Sequence, residues 1–311
     1  MIIMVSLKWK RIWKKIITVV LIFCITSMAV TGAVYDMIFA RYDKSVQVPE
    51  ALADMVGART QLSFFSGENK LAGYYYESQQ PAQANGLVVF VPGFHAGGDD
   101  YLWQIQSLLS YGWGVFTFDA TGTFGSEGKN QVGFSQIVRD LESALKYIEN
   151  NDNFGYNDVV LIGHSRGAYA ACCVVKQQNV SAVVAISGIN SAMDAVMQPA
   201  EEAVGLLSYG NYGFLWLYQA VRFGPELLNR EASEEIAKTQ TPVLVIHGSK
   251  DTSVPADENA IIAYRQQPDS AQVEYLLCDA GHTDILYDAD GTANDALMSS
   301  IHAFLIRSLK N

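Results

Sequence analysis

The sequence predicts an α/β fold: a mostly parallel sheet of eight strands, flanked by helices and covered by a helical cap inserted late in the chain. Three observations predict it. Six short apolar runs, at 87–91, 114–118, 159–162, 182–186, 243–246 and 273–277, lack the alternation of a half-exposed strand, and such runs suit parallel strands covered on both faces. Between several of them, apolar residues recur at helical spacing. About fifty residues separate the run ending at Ser187 from the one opening at Thr241, far more than a simple crossover needs.

The chain opens on a basic, then apolar, segment. Lys8, Lys10, Arg11, Lys14 and Lys15 precede Ile16 to Tyr35, 20 residues without a charge. Twenty helical residues at 1.5 Å each just cross a hydrocarbon core of about 30 Å. Positive charge stays on the cytoplasmic side, which sends the remainder outward, and Trp9 and Trp13 lie where interfacial aromatics are expected. We read residues 1–45 as a single-pass membrane anchor. The alternative is a signal peptide cut after Ala33, where Thr31-Gly32-Ala33 offers small residues, leaving a secreted domain.

Residues 46–311 hold the remaining elements. Leu62–Ser66 and Leu71–Glu77 read as two short opening strands joined through Gly67-Glu68-Asn69-Lys70. The six apolar runs follow. Phe134, Ile137, Val138, Leu141, Leu145 and Ile148 mark one stripe of a helix, and Leu297, Ile301, Phe304 and Leu305 mark another near the end. Alternating β and α units imply right-handed crossovers and a doubly wound sheet. The insert at about 190–238 is rich in Leu, Tyr, Phe and Trp and reads as the cap. In such sheets ligands bind beyond the carboxyl ends of the strands, so the residues just after each run carry the most information.

Composition excludes several function classes. Half the residues are apolar, so the bulk is no disordered chain. The net charge of −11 divides unevenly: residues 1–45 hold seven Lys/Arg against two Asp/Glu, the rest 14 against 30. A body that acidic repels phosphate backbones, so no nucleic-acid partner is expected. Four cysteines, at 24, 172, 173 and 278, make neither a disulfide framework nor a zinc pattern, and no metal or cofactor is expected. Asp288-Ala289-Asp290-Gly291 is too short for a calcium loop and reads as a turn.

Three loops carry chemistry. After the run at 159–162 comes Gly163-His164-Ser165-Arg166-Gly167, then the helix-prone Ala168-Tyr169-Ala170-Ala171. A G-x-S-x-G between a strand and a helix lifts its serine onto a sharp, strained turn, and the helix start directs N–H groups at developing negative charge. Serine needs a base. Of five histidines, His282 in Asp279-Ala280-Gly281-His282 follows the last strand on the right sheet edge; His164 is beside the serine but points across the turn. Asp251, just after the run at 243–246, is the carboxylate expected to hold the base's tautomer. Asp279 and Asp284 read as loop solvation, and Asp257, after Pro255, as the start of a helix. The oxyanion needs two backbone N–H groups: Arg166, the residue after the serine, and Phe94 in Pro92-Gly93-Phe94-His95-Ala96-Gly97-Gly98.

From about residue 60 to 309 the chain resembles the α/β-hydrolases, and within them the branch of monoacylglycerol-lipase-like and serine-aminopeptidase-like enzymes. The likeness rests on the elbow, on Asp119-Ala120-Thr121-Gly122-Thr123-Phe124-Gly125-Ser126-Glu127-Gly128, on His-Gly-x-x-Asp-x-x-Val-Pro at 247–255, on Gly281-His282 and on the cap's place before the Asp-bearing strand. It departs at Pro92, where a histidine is usual, and at Thr121, where an arginine is usual. The resemblance implies an α/β-hydrolase fold and two-step acyl transfer through Ser165, His282 and Asp251. An aromatic cap on an anchored domain suggests a small ester with an apolar acyl chain, although those aromatics equally suit plain packing. Two alternatives stand beside an esterase: a peptidase or amidase of the same fold, and a non-catalytic, membrane-tethered binding protein.

Overall fold

The computed structural model describes residues 2–44, 48–80, 84–151, 154–177, 179–265 and 272–310; in the first helix, side chains are described at Trp9 and from Arg11 onward. The boundary expected between 45 and 46 therefore lies outside the described residues, as do the side chains of Lys8 and Lys10.

Helix α1 (Ile2–Ile38) is a single 37-residue rod. From Arg11 to Ile38 it is long and apolar enough to be a membrane anchor or a signal sequence, and its large apolar side chains, Ile16 to Ile25 among them, are exposed. Its end behaves differently. Tyr35 and Phe39 are buried against the rest of the protein. A short α2 (Glu50–Val56) then tucks Leu52 and Val56 into the core.

Strands β1 (Thr60–Ser66) and β2 (Asn69–Tyr76) form an antiparallel hairpin closed at Gly67, each a little longer toward its start than the sequence pattern indicates. β3 (Leu87–Val91), α3 (Leu102–Ser110), β4 (Gly114–Phe118), α4 (Gln136–Glu149), β5 (Val159–His164), α5 (Arg166–Cys173) and β6 (Val180–Ile186) alternate as expected. The cap comprises α6 (Asp194–Val204), a 3₁₀ segment (Gly205–Asn211) and α7 (Tyr212–Phe223). Then α8 (Pro225–Leu228) and α9 (Ala232–Ala237) return the chain to the sheet, where Leu227, Ala232 and Ile236 join the main core. β7 (Val243–Gly248), β8 (Val273–Cys278) and α10 (Asp295–Ser308) complete the order.

The eight strands lie in the order β1-β2-β4-β3-β5-β6-β7-β8, parallel from β4 through β8 and antiparallel at β1/β2 and β2/β4. α4, α5 and α9 cover one face, and α2, α3 and α10 cover the other. Both faces are almost wholly covered over β3 to β7, which is why those strands are mostly apolar. β8 departs from that expectation. It is the edge strand, and Leu276 and Leu277 are exposed. Asp257 departs too: it sits in a turn, not at a helix start.

The chain steps from β3 outward to β4, then back across β3 to β5. That reversal opens a crevice between the loops after β3 and β5, the place where open α/β sheets bind ligands. Val91 and Gly163, the last residues of the β3/β5 register, set Phe94 and Ser165 on either side of it.

Candidate active site

Ser165 holds φ 55° and ψ −119°, a left-handed conformation that costs a non-glycine residue about 1–3 kcal/mol. The elbow is locked by close backbone contact. A Cβ on Gly163 would stand 2.3 Å from Gly167 O, and one on Gly167 would stand 2.1 Å from Val91 O, so neither position tolerates a side chain. Ser165 N–H donates to Ile186 O at 2.8 Å, tying the turn to β6.

The structure brings Ser165, His282 and Asp251 together. Ser165 Oγ lies 2.9 Å from His282 Nε2, and His282 Nδ1 lies 2.7 Å from Asp251 Oδ2. Asp251 is buried and fully engaged: its Oδ1 accepts from Ser253 N–H and Val254 N–H, and His247 Nε2 is 3.3 Å from its Oδ2. Burial pushes the carboxyl pKa up, but hydrogen bonds from His247, His282 and Val254 outweigh it and hold the group well below the usual carboxylate range. It is therefore an anion that accepts the Nδ1–H of His282 and leaves Nε2 free to accept from the serine. Asp279 instead pairs with Lys250 at the surface.

The two expected oxyanion donors flank the serine. Arg166 is the first residue of α5, where an N–H has no intrahelical acceptor. Phe94 lines the same cavity as Ser165 and His282. Sequence reasoning used only the backbone of Arg166, yet its side chain is buried and donates to Gly93 O at 3.0 Å and Gln131 Oε1 at 3.3 Å. Burial draws its pKa down to about 10, which still leaves a cation clamped on the loop that carries Phe94.

A second feature escaped the sequence. Gly93 N–H donates to Tyr101 Oη at 2.9 Å, Tyr101 Oη is 3.0 Å from His164 Nδ1, and His164 Nε2 is 3.0 Å from His282 O. These contacts are satisfied together when Tyr101 donates to Nδ1 and Nε2–H donates to the His282 carbonyl. Burial lowers the His164 pKa to about 4, helped by the neighbouring His282, so the imidazole is neutral. It bridges the loop after β3 to the loop after β8. Its sequence signal is a histidine closing an otherwise apolar, buried strand.

The cavity over Ser165 measures about 330 Å³ and is lined by Phe94, Ala96, Tyr101, Leu286 and Tyr287 besides the polar residues above. A larger hollow of about 1050 Å³, beside α4, contains none of these residues and no nucleophile–base pair. Phe94 also belongs to an apolar cluster with Tyr35, Phe39, Met193, Met197 and Leu215, which joins α1, α6 and α7 to the loop after β3. The expected turn at 288–291 is present, with Gly291 N–H donating to Asp288 O at 2.9 Å.

Residues 88–296 match the profile of the Alpha/beta hydrolase family. The chain belongs to that family. Among solved structures, an esterase of Pyrococcus furiosus superposes with a TM-score of 0.66 at 18% identity, covering 86% of this chain and 98% of that one. The protein Est1E of Butyrivibrio proteoclasticus, with ferulic acid bound, gives 0.59 at 16% identity over 80% and 100%. The acylaminoacyl peptidase of Pyrococcus horikoshii gives 0.54 at 16% identity over 73% of this chain and 38% of that one. At such identities these likenesses establish a shared fold. No curated protein is matched by sequence.

Proposed function

We propose that this hydrolase-fold protein is a serine hydrolase of carboxylic esters working through an acyl-enzyme. The observation that carries the reading is the unbroken hydrogen-bonded chain from Ser165 Oγ through His282 to Asp251, on a strained elbow. Ser165 attacks the ester carbonyl as His282 Nε2 takes its proton, and Asp251 steadies the imidazolium. The N–H groups of Phe94 and Arg166 receive the tetrahedral oxyanion. His282 then protonates the departing alcohol, and water resolves the acyl-enzyme by the same route.

The apolar lining of the cavity supports an apolar acyl chain, a lipid or medium-chain ester. Labelling with a fluorophosphonate probe tests the chemistry: Ser165→Ala abolishes it, and Ser165→Ala and His282→Ala each lower turnover at least about a thousandfold. Retained labelling or turnover in either variant overturns the assignment. A series of p-nitrophenyl esters tests the substrate, and faster turnover of acetate than octanoate removes the apolar-acyl reading.

For location, the proposal is that α1 spans a membrane with its basic end in the cytoplasm and the hydrolase domain outside. Its support is the exposed, charge-free run of α1 behind a basic segment. That the helix is retained is supported by its packing on the cap, where Asn211 Nδ2 donates to Thr31 Oγ1 at 2.7 Å and Tyr35 Oη donates to Gln219 Oε1 at 3.1 Å.

A further inference from the structure

The cap carries an apolar surface that protein does not cover. Ala203 to Val221 contains no charged residue. Within that run Leu206, Leu207 and Val221 are 81%, 83% and 80% exposed, with Tyr209, Tyr212 and Leu217 exposed beside them. Glu201, which accepts from Tyr209 Oη, and Glu202 mark its rim. A contiguous exposed patch of this kind marks a contact surface.

What covers it is set by its neighbour, α1. The rings of Phe23 and Phe214 meet edge to face at 6.2 Å, and Tyr218 Oη donates to Gly32 O at 3.4 Å and to Asp36 at 2.9 Å. α7 thus runs beside the charge-free part of α1. Phe23 lies eight residues beyond Lys15, about 12 Å along the helix, and Thr31 about 24 Å along it. Both levels fall inside a hydrocarbon core of about 30 Å that begins at Lys15. The charges agree. Asp36 is the first charge after the free stretch on α1, Arg222 is the first after it on the cap, and the two pair at 3.1 Å. The two elements therefore lose their charge at the same depth.

We infer that the cap, and not α1 alone, is seated in the lipid bilayer, with Leu206, Leu207 and Val221 against acyl chains. This places the cavity wall at Phe94, with Phe39 packed behind it, at the membrane surface, where an ester with an apolar chain enters without crossing water. The inference rests on the span proposed for α1.

The test uses the full chain in phosphatidylcholine vesicles, with Cys24→Ser and Cys278→Ser as background. Leu207→Cys, Val19→Cys on α1 and Ser300→Cys on α10 are each labelled with an environment-sensitive fluorophore. Lipid brominated in its acyl chains is the quencher. The expected result is loss of fluorescence at 207 and 19 and none at 300. Quenching at 19 without quenching at 207 overturns the seating of the cap and leaves the span standing. A blue-shifted, unquenched label at 207 means that a second copy covers the patch, which also overturns it. No quenching at 19 overturns the span and this inference together.

Discussion

The neutral His164 bridge has a measurable acid signature. Its pKa falls from an ordinary 6.5 to about 4, because burial removes the cation's hydration and His282 stands alongside. Unfolding returns the ring to water, where it titrates normally. Since the folded pKa lies below the unfolded one, the unfolded chain binds the extra proton at intermediate pH. Stability from this group is thus intact above about pH 6.5 and is lost as pH falls toward 4. The full interval corresponds to about 3 kcal/mol, most of it lost by pH 4.5. Protonation at Nδ1 would also turn an acceptor into a donor facing Tyr101, so the Tyr101 O–H would lose its acceptor. The perturbation is His164→Asn, which keeps a polar side chain and removes the titration. Urea unfolding in neutral detergent at pH 7 and pH 4.5 reads the effect, and other titrating groups cancel in the comparison. The variant is less stable at pH 7 but loses about 2 kcal/mol less than the parent between the two pH values. Equal losses in both, or an NMR midpoint for His164 near 6.5, would refute the reasoning.

Gly167→Ala forces a Cβ to within 2.1 Å of Val91 O, a backbone atom held in the sheet, and should lower stability by about 3 kcal/mol or more. That corresponds to a fall in Tm of about 6 °C or more, and an unchanged melt contradicts the locked elbow. Phe39→Ala removes a wholly buried ring and should cost about 3–5 kcal/mol in thermal unfolding. It should also lower kcat, because the Phe39 and Phe94 rings meet at 5.4 Å on the oxyanion loop. A normal melt and normal kcat would mean that the end of α1 is no part of the domain.

Much of the framework was legible because its signals are local. The runs at 87–91 and 114–118 match β3 and β4 residue for residue, since strands covered on both faces are mostly apolar. The elbow was legible because one strained turn needs glycine on both sides of its serine. What escaped is long-range. Tyr101 and His164 are 63 residues apart, and His164 and the His282 carbonyl 118, so no spacing announces that they touch. The inward turn of the Arg166 side chain was hidden for a related reason: a cation beside a nucleophile reads as exposed until Gly93 O and Gln131 are seen to receive it. β8 misled because edge position is a property of the sheet order, not of the strand's own composition.

The N-terminal segment is where local signal and tertiary packing bear on one question. Cleavage after Ala33 leaves Tyr35, Phe39 and Tyr42 in place. The wall of the site would survive, because Tyr42 still stacks on His95 at 4.4 Å and Arg41 still donates to the carbonyls of Phe124, Ser126 and Gly128. The cap would not be spared. Thr31 and Gly32 are buried, and removing them strips Asn211 of its acceptor and uncovers the Tyr218 ring that packs on Gly32. A signal peptide has no such partners, because it is gone when the domain is complete. The mature protein is therefore expected to begin upstream of Thr31. N-terminal sequencing of membrane-extracted protein decides it: a start near Val34 would mean that the cap sheds its packing partner, and that the charge-free run from Ala203 to Val221 answers to something other than a retained helix.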